Sequence, residues 1–379
     1  MSKGRPHALL ARLMAIGLGV ALASVLGARL GWLGPRWKIA VAAGGSAASS
    51  LPFQPLLDEK ATRQYFSVDT RADIRFDPLA YIVHTPNSSA TWAWEEHPDG
   101  EFVRQVNNLA FNEDHPTEPE KHGLRILVAG DSHTAGLVNS SESFCNVAER
   151  ALQQSLARPD VEVLNAGVGY TSPTCYLGML QKHLALQPDV FVAVLFTGND
   201  FLDETFLAYA AGKRPQPETP SGYIQRAAKM KEGGFTGPFW QGLNQVYRWK
   251  TLPEEEEFAL QTTLEVYAAM QRLCAEHSIA FLAVLLPTKM DVDEDDREAW
   301  LRAVSDLGLQ ERDLDLNLAA GRRFMEALRE RGIACLDPTE EMVQSREVLY
   351  WKKDYHLAVS GHALVGARLA EEIARLLVP

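Results

Sequence analysis

The sequence predicts a doubly wound α/β domain, a parallel sheet covered by helices on both faces. Short apolar segments alternate with longer amphipathic ones from residue 124 onward. Most of the short segments are apolar at nearly every position, as is typical of strands that have no solvated face. Strand–helix alternation of this kind favours right-handed crossovers and a three-layer α/β/α arrangement.

The expected elements follow one another in regular order. The predicted strands are residues 124–129, 161–165, 190–196, 279–286 and 333–336. The predicted helices are residues 142–157, 174–186, 254–277, 318–331 and 361–377. Ligands of such sheets bind outside the carboxyl ends of the strands, so catalytic residues are expected in the loops at that edge.

The composition excludes some classes of protein and some kinds of site. A net charge of −12 over 379 residues argues against non-specific nucleic-acid binding. The cysteines are far apart and form no Cys-x-x-Cys pair, so zinc-ligand spacing is absent and no metal or organic cofactor is expected. Free buried thiols are the first interpretation, and a disulfide stays open for an exported chain. The cysteines are Cys145, Cys175, Cys274 and Cys335.

The N-terminal segment, residues 1–38, predicts a membrane anchor or a signal sequence. Residues 13–28 carry no charged side chain and follow three basic residues. An uncleaved anchor would extend through residues 30–33, whereas a signal peptide could be cut near the Ala-Leu-Ala at residues 21–23. A buried core helix is the third interpretation. Either of the first two places the rest of the chain outside the cytoplasm, in the periplasm or at the cell surface.

The remaining chain divides into three parts by composition, and the last of them contains an insertion. Residues 39–50 are small and read as a linker, and residues 51–121 predict an irregular appendage packed on the core. Residues 122–379 form the α/β domain. Residues 201–253 interrupt its strand–helix alternation with prolines, glycines and aromatic residues, which is typical of a lid or wall beside a site.

The first strand ends in Gly130-Asp131-Ser132, which predicts a nucleophile. A serine at a strand-to-helix turn is well exposed, and the preceding glycine lets the chain turn sharply. The alternative is a simple turn with a helix cap. His133, the next residue, either contacts substrate or packs on the first helical turn.

Two further loops could supply hydrogen-bond donors at the same edge. Gly167 could offer its backbone N–H, and Asn199 its side-chain amide. Together with the N–H of Ser132 they could form an oxyanion hole. Each loop taken alone is more simply a turn.

The C-terminal region offers the base and its carboxylate. His356 could take the serine proton while Asp354 orients the imidazole. An ordinary surface pair is the alternative. His362 is expected to pack at the start of the last helix.

These segments, taken in order, resemble the sequence blocks of SGNH/GDSL hydrolases, and most closely the membrane-anchored bacterial members. The resemblance covers residues 105–377 and includes a preceding Asn-x-x-x-Phe stretch at residues 107–111. It implies a flavodoxin-like sheet, a Ser–His–Asp mechanism and the three-donor oxyanion hole. Two departures are the single residue between Asp354 and His356, and Thr197 where the family has glycine. The blocks are Gly130-Asp131-Ser132, Asn165-x-Gly167, Asn199-Asp200 and Asp354-x-His356.

The expected activity is hydrolysis of a small ester through an acyl-enzyme on Ser132. O-acyl groups on cell-surface polysaccharide are the substrates that the family resemblance implies. An O-acyltransferase would use the same residues with a sugar hydroxyl in place of water. A non-catalytic, membrane-tethered carbohydrate-binding or assembly protein would keep the fold without turnover.

Overall fold

The computed structural model describes residues 54–293 and 297–377. The predicted anchor at residues 1–38 and the linker at residues 39–50 lie outside the described residues. Within the described ranges, no helix combines the length and the apolar character needed to cross a membrane.

The central sheet confirms the predicted parallel architecture. Its strands are β5 (Leu124–Ala129), β6 (Val161–Asn165), β7 (Val190–Phe196), β8 (Ala280–Leu286) and β9 (Ala334–Leu336). They differ from the predicted strands by at most one residue at an end. All are parallel, and their order across the sheet is β6-β5-β7-β8-β9. This is the 2-1-3-4-5 order of flavodoxin-like folds.

Helices cover both faces of the sheet, because alternate strand residues point to opposite sides and both sets are apolar. The helices of this domain are α2 (Ser132–Ala135), α3 (Phe144–Ser155), α4 (Pro173–Lys182), α5 (Asp200–Ala210), α6 (Tyr223–Glu232), α7 (Thr236–Pro238), α8 (Asn244–Thr251), α9 (Glu254–Glu276), α10 (Lys289–Val292), α11 (Arg297–Leu307), α12 (Leu316–Glu330), α13 (Thr339–Gln344) and α14 (Val359–Leu377). One face of the sheet packs on α4, α5, α9 and α12, and the other face packs on α3 and α14.

The strand order reverses between β5 and β7, and this places a crevice at their carboxyl ends. Ala129, the last residue of β5, pairs with Ala193 of β7. The loops that follow the two strands therefore leave the same edge of the sheet side by side. Ligands of doubly wound sheets bind at such a reversal point.

The N-terminal appendage is more regular than the sequence predicts. It contains the short helix α1 (Glu59–Tyr65) and two antiparallel hairpins. Every residue of β2 (Tyr81–His84) is buried, whereas nearly every residue of β3 (Ser88–Ala93) is exposed, so neither strand shows the alternation that would predict it. The hairpin strands are β1 (Ile74–Asp77), β2 (Tyr81–His84), β3 (Ser88–Ala93) and β4 (Glu101–Val106).

The interruption at residues 201–253 is mostly helical. Its first helix, α5, packs on α9 in the main helical layer. The later part forms a small separate core with α11, and this core includes Tyr355 from the C-terminal loop. The four cysteines are free; three are buried and Cys335 is partly buried.

Candidate active site

The nucleophile turn is shaped by its own sequence and by the end of β5. Asp131 caps helix α2, and its carboxylate accepts the N–H of His133 at 2.8 Å. A side chain on Gly130 would come within 2.0 Å of Thr134 Oγ1, so only glycine fits there. Ser132 begins the helix and is partly exposed.

The structure brings the predicted nucleophile, base and carboxylate into one hydrogen-bonded line. His356 Nε2 lies 2.7 Å from Ser132 Oγ, although 224 positions separate the two residues. The Nδ1 atom of the same ring hydrogen-bonds Asp354 Oδ1. With the Nδ1 proton donated to Asp354, Nε2 is an acceptor for the serine hydroxyl, the tautomer that a general base needs.

The short spacing between Asp354 and His356 works because the chain turns back at Tyr355. Tyr355 has a left-handed backbone, with φ of 72°. Asp354 Oδ1 therefore also accepts the backbone N–H of His356 at 3.2 Å. The Tyr355 hydroxyl accepts a hydrogen bond of 2.6 Å from Trp300 Nε1, which holds the unusual turn.

The pKa of His356 reflects opposing effects. Burial alone would lower this pKa, but the adjacent Asp354 carboxylate outweighs burial through its charge and its hydrogen bond, so the pKa is raised. Asp131 acts in the same direction. Burial raises the pKa of Asp131 itself to about 6, although the His356 charge opposes that change.

The prediction that Gly167 donates to an oxyanion is contradicted by the structure. Its N–H already donates to Asn165 Oδ1 at 3.0 Å, and its carbonyl accepts from Asn112 Nδ2 at 2.8 Å. A side chain at this position would lie 2.4 Å from the Ala135 nitrogen. Gly167 is therefore a packing glycine between two loops.

Gly169, two residues further along the same loop, is the better candidate for this donor. A side-chain carbon built on Gly169 would lie 3.5 Å from the Ser132 Cβ, so this backbone runs beside the nucleophile. Its N–H makes no hydrogen bond to the described part of the chain. The sequence shows both glycines, but spacing alone could not tell which amide is committed elsewhere.

Asn199 lies at the N-terminus of α5, at the end of the neighbouring strand β7. Its side-chain amide has no hydrogen-bond partner among the described residues, and its Oδ1 is buried. The turn is held by Asp200, which accepts from the Phe196 N–H at 2.8 Å and from the Tyr176 hydroxyl at 3.0 Å. An amide held this way, with no partner within residues 54–293 and 297–377, is suited to bind a ligand.

His133 lies against His356, and the sequence left its role open. Its ring is fully buried and lies between the rings of Phe196 and His356, with centroids 3.8 and 4.5 Å away. Its Nε2 is 3.1 Å from Gln241 Oε1, which comes from the insertion at residues 201–253. Burial, together with the neighbouring His356 charge, keeps the pKa of His133 well below its usual range. His133 therefore packs against the imidazole of His356 as a neutral ring.

His362 packs as predicted. It is fully buried in the first turn of α14 and stacks on Phe144. Its Nδ1 accepts the Phe144 N–H at 3.1 Å, which ties α14 to α3. No cluster of three or more His, Cys, Asp or Glu side chains within residues 54–293 and 297–377 is arranged to hold a metal ion.

Comparison with known proteins gives matches only among solved structures. The chain matches no protein-family profile and no curated protein sequence. One similar structure is an acetyl xylan esterase, with 12% identity and a TM-score of 0.39; the match covers 67% of this chain and 100% of that one. Another is a GDSL-like lipase from Bacteroides thetaiotaomicron, with 12% identity and a TM-score of 0.37; the match covers 70% of this chain and 93% of that one. A third is a catalytic mutant of an acetylxylan esterase from Geobacillus stearothermophilus, with 13% identity and a TM-score of 0.38; the match covers 67% of this chain and 96% of that one. Scores this low assign no activity, so the functional conclusion depends on the chain's own residues.

Proposed function

We propose that this chain is a serine esterase of the SGNH/GDSL type that cleaves small O-acyl esters through an acyl-enzyme. The observation that carries the proposal is the 2.7 Å contact between Ser132 Oγ and His356 Nε2, with Asp354 on the opposite ring nitrogen. A serine with a positioned base, and a third group that orients the base, is the arrangement that nucleophilic acyl transfer requires.

In the acylation step, His356 Nε2 takes the hydroxyl proton as Ser132 Oγ attacks the ester carbonyl carbon. The negative charge that develops on the carbonyl oxygen is stabilised by the N–H groups of Ser132 and Gly169 and by the Asn199 amide. The carbon–oxygen bond to the alcohol then breaks. His356 gives its proton to the departing oxygen, and the acyl group stays on Ser132.

In the deacylation step, a water molecule gives a proton to His356 Nε2 and attacks the acyl carbon. The same donors stabilise the second oxyanion. The bond to Ser132 Oγ breaks, His356 returns the proton to that oxygen, and a carboxylic acid leaves. Asp354 stabilises the imidazolium in both steps, since its carboxylate raises the pKa of His356.

We further propose O-acyl groups on extracytoplasmic carbohydrate as the substrate class. Tyr170 follows Gly169 directly and is 43% exposed, so an aromatic face is available beside the nucleophile for a sugar ring. The apolar run at residues 13–28 supports attachment to a membrane or export through it. Protease accessibility in intact and lysed cells tests the location, and protection in intact spheroplasts would count against it.

The test of the esterase proposal is p-nitrophenyl acetate hydrolysis by the full chain, with Ser132→Ala and His356→Ala as comparisons. We expect each variant to lose at least about 10³-fold in kcat/KM. A fluorophosphonate probe should label the wild type and leave Ser132→Ala unlabelled. A wild type that neither turns over nor labels would overturn the proposal.

A sugar acceptor distinguishes hydrolysis from transfer. Methyl glucoside is added to the same reaction, and free acetate and acetylated glycoside are measured separately. Acetate as the main product supports hydrolysis. Acetylated glycoside as the main product would make the chain an acyltransferase with the same nucleophile.

A further inference from the structure

Arg104, on strand β4 of the appendage, is a cation whose presence the fold alone does not explain. Its Nη2 donates to the carbonyl of Gly136 at 2.7 Å, while its Nε is buried without a hydrogen-bond partner. No carboxylate among the described residues lies within ion-pair distance of it. Burial lowers the pKa of Arg104 to about 10, with the Arg71 charge adding to the effect and Asp73 opposing it.

A neutral side chain could bind the Gly136 carbonyl without this cost. Leaving a buried donor unpaired costs stability, and the cost is larger when the group is charged. An anion bound from solution would supply the partner that this buried, charged donor lacks, and would explain why an arginine stands here.

A second arginine and an aromatic ring lie near enough to Arg104 for their charges to act on its pKa. The guanidinium carbon of Arg71 is 4.8 Å from the ring centroid of Tyr170. Arg71 also forms two hydrogen bonds to Asp73, at 3.1 and 2.6 Å. Asp73 offsets one of the two arginine charges, so the group of Arg71, Asp73, Arg104 and Tyr170 carries one net positive charge.

Two members of this group connect to residues that neighbour Ser132. Gly136, which Arg104 contacts, ends the helix that Ser132 begins. Tyr170 follows Gly169, whose backbone runs beside Ser132. The charge of Arg104 also acts on His356, where it lowers the pKa in opposition to Asp354.

We propose that Arg71, Arg104 and Tyr170 form a subsite for a carboxylate carried by the alcohol part of the ester. One net positive charge matches one carboxylate, and guanidinium groups bind carboxylates with directional hydrogen bonds. The alcohol part is assigned because Tyr170 is exposed, and an open subsite suits the larger, departing half of the substrate. This inference rests on the proposed esterase function.

The test compares acetate release from acetylated methyl glucuronoside and from acetylated methyl glucoside, a pair that differs in the carboxylate. The measured quantity is the ratio of the two kcat/KM values, because a defect at the catalytic centre affects both substrates and cancels. We expect the wild-type ratio to fall about tenfold in Arg104→Gln, to be largely kept in Arg104→Lys, and to fall with added salt. Arg71→Gln gives a second measurement if Arg104→Gln fails to fold.

The outcomes separate the subsite from the esterase activity. A wild type that cleaves both acetates with a ratio unchanged by either Gln variant overturns the subsite and leaves the esterase intact. Acetate from neither compound, with no labelling of Ser132, overturns both. A charge preference that appears only with p-nitrophenyl hemisuccinate over p-nitrophenyl butyrate overturns the assignment to the alcohol part.

Discussion

The nucleophile turn and the histidine loop lie against each other, yet they are held in different ways. The turn at residues 130–136 follows β5 directly and is shaped by its own Gly130 and by the Asp131 cap. The loop at residues 350–358 depends on distant segments: Glu96 accepts the N–H groups of Lys352 and Lys353 at 2.5 and 3.0 Å, and Trp300 holds Tyr355.

The difference indicates where the catalytic geometry is vulnerable. The position of Ser132 comes with the sheet, so remote substitutions should leave it in place. The position of His356 depends on tertiary contacts from the appendage and from α11, so substitutions far along the chain should change it. The predictions below test this contrast.

The largest effect is expected for Asp354→Asn. The variant loses the carboxylate that orients the imidazole, and we expect kcat to fall by about 10²–10⁴. The carboxylate raises the pKa of His356, so its removal lowers that pKa, and the acidic limb of the activity profile moves to lower pH because the neutral base persists further into acid. The pH dependence of kcat/KM measures both the loss of activity and the shift of the acidic limb. An acidic limb at the wild-type pH would contradict the role of Asp354.

Gly169→Ala and Gly167→Ala test which glycine lies beside the nucleophile and which one packs between loops. A methyl on Gly169 meets Ser132 Cβ at an ordinary 3.5 Å, so folding should be kept while crowding at the nucleophile lowers kcat/KM by about tenfold or more. A methyl on Gly167 would lie 2.4 Å from a backbone nitrogen and should cost about 3 kcal/mol of stability. Urea unfolding and steady-state kinetics on both variants check this. Equal destabilisation of the two would contradict the assignment.

Glu96→Gln tests the remote support of the base. The amide presents one acceptor and one donor to two backbone N–H groups, so we expect the loop to shift and kcat to fall by about tenfold or less. The matched control is Glu95→Gln, which loses only an exposed pair with Lys353 and should behave as wild type. Fluorophosphonate labelling should slow in Glu96→Gln alone. Identical labelling rates in both variants would show that this contact does not position His356.

The smallest catalytic effect is expected for Tyr355→Phe. Loss of the hydroxyl leaves the buried Trp300 Nε1–H without its partner, which should cost about 1–3 kcal/mol of stability. A phenylalanine ring would keep the packing of residue 355 against Trp300, so we expect the turn to be kept and kcat to change by less than about threefold. Thermal unfolding and kinetics measured together decide this. A large loss of kcat with little change in stability would contradict it.

The sheet and most of its helices could be predicted from sequence because their signals are local. Uniformly apolar runs identified the five strands, and the turn residues after β5 and β7 identified the serine and the asparagine. The two hairpins of the appendage were missed because β2 is buried at every position and β3 is exposed at nearly every one. Gly169 was missed, and the role of His133 was left open, for a different reason: the roles of both depend on which neighbouring groups are already paired.

The sequence by itself determined the parallel α/β class, the loops that meet at the carboxyl edge, and the residue types able to form a Ser–His–Asp group. Those follow from side-chain periodicity and from residues adjacent in the chain. Only the tertiary structure decided that Gly169, not Gly167, lies beside Ser132 with a free amide, that His133 packs against His356, and that Arg104 lies beside the site. These depend on packing between segments far apart in the chain, which no local pattern encodes.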